Sequence, residues 1–192
     1  MQVNEKQAGT FVVKMKTVSI ISLFVCLLVS VTLQAQLTKT ASFPQSFTGN
    51  WKGTLTWTVP GKAPQTFTMR LNVQPADSGR YTWQIIYGDD QKDNRPYLLL
   101  PVDTTKGHWQ VDEKNGIILD SWWLGNRLTG VFSVQGTTIV DQYWLEADGL
   151  HVEFISYGTI PLRTTGGTVP GIPAVEVYAI KSVQRGVLKK TD

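Results

Sequence analysis

From Phe47 onward the chain alternates apolar and polar residues with a period of two, and almost no stretch carries helical spacing. In Trp51–Val59 the odd positions are Trp51, Gly53, Leu55, Trp57 and Val59, and the even ones are Lys52, Thr54, Thr56 and Thr58. Successive side chains of a strand point to opposite faces, so this segment presents one dry face and one wet face. Pro60-Gly61 ends it. Phe67, Met69, Leu71 and Val73 repeat the pattern, and after the turn Pro75–Gly79 so do Tyr81, Trp83, Ile85 and Tyr87. Three amphipathic strands joined by short turns predict an antiparallel meander. Gly88–Asn94 reads as a polar loop, and further strands are predicted at about 96–102, 107–112, 117–124, 127–135, 137–146, 150–157 and 174–184. Asn115-Gly116, Gly125-Asn126, Gly136 and Asp148-Gly149 punctuate them as hairpin turns, and Gly158–Pro173 reads as a long loop. About ten strands with one wet face form either a closed barrel or a two-sheet sandwich.

Ahead of this region lies the single long apolar run, Val18–Leu33, preceded by Lys14 and Lys16 and followed by Gln34-Ala35-Gln36. A basic start, an apolar middle and a small residue at the end describe a secretory leader cleaved after Ala35, with Met15 as an alternative start. Ser19, Ser22 and Ser30 interrupt the run, which falls short of the roughly 20 apolar residues of a membrane span. Cys26 follows Phe24-Val25, which are too large for a lipoprotein cleavage box. The expected organisation is a leader at 1–35, a flexible lead-in at 36–46, a barrel domain at 47–185 and a basic tail at 186–192.

Cleavage changes the chemistry available. It removes the one Cys of the 192-residue chain, and with it any disulfide, thiolate metal ligand or Cys nucleophile. Losing Lys6, Lys14, Lys16 and Glu5 leaves 15 basic and 14 acidic residues, a balance of +1 in place of +3. No basic stripe survives beyond Arg185 and Lys189-Lys190, so nucleic acid is not an expected partner.

The start of the first strand, Phe47-Thr-Gly49-Asn-Trp51-Lys-Gly53, resembles the Gly-x-Trp signature of the calycin superfamily, which contains the lipocalins and the fatty-acid-binding proteins. The resemblance implies an up-and-down barrel. It also implies that Trp51 plugs the closed end behind Gly49, with a basic residue of the last strand across its ring. Arg185 is the expected partner, with Lys181 second. The mature chain is also similar to exported lipocalin-like proteins of Gram-negative bacteria, which implies a periplasmic or secreted location. Closure would remove sheet edges that so aromatic a chain could not leave exposed, which favours the barrel over the sandwich.

Catalytic signatures are sparse. His108 and His151 are the two histidines, no Gly-x-Ser-x-Gly elbow is present, and neither spacing nor residue type indicates a metal site. Some barrels of this resemblance bind haem through a late-strand histidine, but none follows His151, so no cofactor is expected. Two carboxylates lie among apolar residues: Asp120 beside Ile118 and Trp122, and Asp141 with Ile139, Tyr143 and Leu145. The ordinary reading of each is an outward side chain. If either points inward, its pKa should be raised or it should pair with a cation such as Arg127 or Lys181. The aromatic residues Trp57, Tyr81, Trp83, Tyr87, Trp109 and Trp123 are expected to line a ligand cavity, although they suit a filled core equally well. Of Trp122 and Trp123, one must face outward. Three functions follow: an exported barrel holding a small apolar or amphipathic molecule, a filled barrel acting as an envelope interaction protein, and an isomerase- or cyclase-like enzyme using Asp120 or Asp141 as a base.

Overall fold

The structure, a computed structural model, describes residues 42–192. The expected leader at 1–35 and the first part of the lead-in lie outside the described residues. Ten antiparallel strands form a closed barrel in which successive barrel strands pair and the last also pairs with the first. The strands are β1 (Gly49–Thr58), β2 (Gln65–Val73), β3 (Tyr81–Tyr87), β4 (Asp93–Asp103), β5 (His108–Asp112), β6 (Ile118–Leu124), β7 (Arg127–Val134), β8 (Thr137–Glu146) and β9 (Gly149–Gly158). A two-stranded ribbon, β10 (Arg163–Gly166) and β11 (Ala174–Val177), precedes the last barrel strand, β12 (Ile180–Thr191).

The ladder closes where β12 runs beside β1, from Asn50↔Thr191 to Thr58↔Val183. Two expectations are corrected here. The segment 174–184 is not one strand: it divides at Tyr178-Ala179 into β11 and the start of β12, and the loop read at 158–173 supplies β10. The basic tail is no tail either, since β12 continues through Arg185–Lys190. Backbone pairing explains the extension, because β1 would otherwise leave a ladder edge unsatisfied, and Leu188 gains full burial in the process.

The part of the lead-in that is described is packed against the barrel. Phe43 precedes and Phe47 ends a 3-10 turn, Gln45–Phe47, that seats against one end of the barrel. Phe47 is fully buried, in contact with Trp83 and Trp123, and Phe43 stacks on Trp123 with ring centroids 4.5 Å apart. Around this plug the inward residues Leu55, Leu71, Leu99, Leu128, Leu150 and Leu188 make a dry core.

Candidate functional site

The inner face is set strand by strand by the period-two alternation, and toward the end opposite the plug it surrounds open space. The cavity has a volume of about 680 Å³. Its floor is Trp83, fully buried, which meets Tyr143 edge-on at 5.0 Å. Trp57, Phe67, Phe132 and Phe154 supply further ring surface, and Ser121, Asp141, Ser156 and Gln184 supply polar atoms.

The charged lining is Asp93, Arg95, Glu113 and Asp141. Arg95 grips Asp93 with two hydrogen bonds of 2.8 Å, and its guanidinium lies 4.8 Å from the centre of the Tyr87 ring. This paired geometry holds the Asp93 carboxyl below the usual carboxylate range. Burial pushes the Tyr87 phenol up to about 12 and the Tyr143 phenol well above its ordinary value.

Asp141 behaves differently. Its Oδ1 is shut off from solvent and makes no hydrogen bond. Burial pushes its carboxyl up to about 6, against a partial downward pull from the backbone of Asp141 and Gly130. The outward reading is therefore corrected for Asp141: it shares the inner face with Ile139 and Tyr143, and neither Arg127 nor Lys181 pairs with it. Arg127 lies over the Trp144 ring, and Lys181 donates to the Gly136 carbonyl and Thr137 Oγ1. For Asp120 the outward reading holds. It is exposed, bonds His108 Nε2 at 2.7 Å and Gln110 Nε2 at 3.0 Å, and the His108 bond lowers its pKa.

Of the aromatic residues expected at the cavity, Trp57, Trp83 and Tyr87 line it. Tyr81, Trp109 and Trp123 do not: Tyr81 and Trp109 are buried in the core, Trp123 packs against it, and Phe43 contacts both Trp109 and Trp123 there. They share the inward face but sit at the other level of the barrel, which strand alternation does not encode. Trp122 is the outward member of its pair, stacked on His108 at 5.0 Å.

The closed end has a different cation from the expected one. Trp51 is buried, and its Nε1 donates to the Phe47 carbonyl at 2.7 Å. Lys190, not Arg185, reaches across it, with Nζ 5.5 Å from the ring centre. Register explains the correction: Trp51 pairs with Lys190 and shares its face, whereas Arg185 pairs with Thr56 and faces out to Glu153, 3.2 Å away. Gly49, at φ +139°, leaves the room this needs, because a Cβ there would stand 2.4 Å from Lys190 Cε.

Phe67, Arg95, Ser121, Phe132, Tyr143 and Phe154 were not among the expected lining residues. Phe67 and Phe154 carried a signal, their place on an apolar alternating face. Arg95 carried none, lying between a run read as loop and a strand predicted from 96. Among the described residues one group, Glu146, Asp148 and His151, has ligand-type atoms within 4.8 Å of one another. It lies at the opposite level of the barrel, where His151 already bonds Asp148 and Glu146 accepts from Trp144. Comparison of the chain with protein-family models, with curated proteins and with solved structures finds no match.

Proposed function

We propose that this is a small-molecule-binding barrel of the calycin kind, exported by its leader and holding an apolar or amphipathic ligand in the cavity above Trp83. The observation that carries the reading is the hollow half of the barrel: about 680 Å³ bounded by aromatic rings with a few polar groups among them. The same space weighs against a barrel filled throughout. A saturable rise in N-phenyl-1-naphthylamine fluorescence on titration into the protein, abolished in Phe154→Arg, is the expected result. Binding should also raise the melting temperature, with about 2.7 kcal/mol of added stability at a hundredfold excess over Kd. A linear, unsaturable signal in the wild type overturns the reading.

Asp141 favours a second reading, an isomerase- or cyclase-like enzyme. A shielded carboxylate titrating at about 6 suits a general base near neutral pH. On that reading Asp141→Asn abolishes turnover of a bound carbon acid while leaving fluorophore binding intact.

A further inference from the structure

The inner face of β6, β7 and β8 contains a notch beside Asp141. Ser121 pairs with Gly130 across β6 and β7, and Gly130 pairs with Asp141 across β7 and β8. The three residues thus form one row, with glycine between two polar side chains. A Cβ on residue 130 would stand 2.3 Å from Asp141 Oδ1 and 3.0 Å from Ser121 Oγ. Only the absence of that atom lets the hydroxyl and the carboxylate face each other over bare backbone. Ser121 and Asp141 both line the cavity, and Asp141 Oδ1 is left without a hydrogen bond.

The charges around the notch select what fits it. Three carboxylates and one guanidinium line the cavity, and Arg95 is committed to Asp93 by both of its hydrogen bonds. The charge of Asp141 helps raise two buried phenols, Tyr87 and Tyr143, and Glu113 lies elsewhere on the wall. None of these supplies positive charge. A carboxylate removed from water with only backbone groups beside it is costly, and a cationic donor relieves that more effectively than a neutral one. The rings of Trp57, Phe132 and Phe154 then offer an apolar body its contact surface.

We infer that the cavity takes an apolar amine, its protonated nitrogen donating to the Asp141 carboxylate and Ser121 Oγ beside Gly130. This rests on the carrier reading and names its ligand class.

The test uses three compounds of one shape: 1-naphthylmethylamine, 1-naphthylmethanol and 1-naphthoate, titrated calorimetrically into the wild type and Asp141→Asn. The amine should bind about tenfold or more tighter than the alcohol in the wild type, and the carboxylate weakest. Asp141→Asn should erase the preference for the amine over the alcohol. A pH series on the wild type needs no variant. Amine affinity should fall about tenfold from pH 8 to pH 5 as Asp141 takes up its proton, with the alcohol's unchanged. Equal binding of amine and alcohol, or a preference that survives Asp141→Asn, overturns the ligand class and leaves the carrier standing. Failure of all three compounds to bind overturns both.

Discussion

The two ends of this barrel are walled by the same strands and the same alternation, yet one is packed solid and the other is hollow. At the packed end Phe43, Phe47, Trp109 and Trp123 interlock as stacked and edge-on rings, with centroids 4.5 to 5.7 Å apart. At the hollow end Trp57, Phe67, Phe132 and Phe154 are as large but enclose space. The difference is a piece of chain that belongs to no barrel strand: residues 43–47 enter the packed end and complete it with two phenylalanines. A ring of inward aromatics is not by itself a core. Here it takes an added segment to make one, and where none enters, the same residue types become a binding wall.

Removing the plug should show the largest effect. Phe47→Ala deletes a fully buried ring and should lower stability by about 3–5 kcal/mol, read from the urea midpoint. Phe132→Ala, at the cavity wall, should cost well under half of that, and comparable losses would erase the distinction between the ends.

Next comes the buried carboxylate of the cavity wall. Asp141 titrates at about 6 in the folded chain against an ordinary 3.8, so the native state holds its proton longer than the unfolded state does. Stability therefore falls as pH rises from 3.8 to 6 and is level above that. Asp141→Asn should raise stability at pH 7.5 by about 2 kcal/mol and change it little at pH 4. A loss of stability at pH 7.5 would mean that the backbone contacts of the carboxylate outweigh the cost of its burial.

Gly130→Ala probes the same notch from the opposite side. Its Cβ would press on Asp141 Oδ1, costing about 1–3 kcal/mol and closing the space next to Ser121. The melting temperature reports the first effect and naphthylmethylamine titration the second. The smallest effect belongs to the packed end's cation. Lys190→Met should lose about 0.5–1 kcal/mol as the charge leaves the Trp51 ring, while Arg185→Met stays within about 0.5 kcal/mol. Equal effects in a paired urea series would contradict the register that puts Lys190, and not Arg185, on Trp51.

Most strands were legible because burial on one face forces the alternation that betrays them. The segments read at Trp51–Val59, Phe67–Val73 and Tyr81–Tyr87 agree with β1 to β3 within two residues. The end of the chain was legible only in part. Lys189 and Lys190 look like a solvated tail in isolation, and they become strand because β1 needs a partner along its whole length. The candidate site was the least legible. Alternation told Trp83 and Trp109 apart from their outward neighbours but not from each other, although one floors the cavity and the other packs against Phe43. Gly130 gave no sign at all, since its importance lies in what stands beside it on two other strands.

The sequence by itself determined which residues turn inward, because period two is a local property of an extended chain and each strand reports it independently. Only the tertiary structure decided how high along the barrel each inward residue sits, and so which rings touch the plug and which face open space. Height depends on the stagger between paired strands. That stagger is set by ladder closure across all ten of them, and it brings Asp141, Gly130 and Ser121 into a single row.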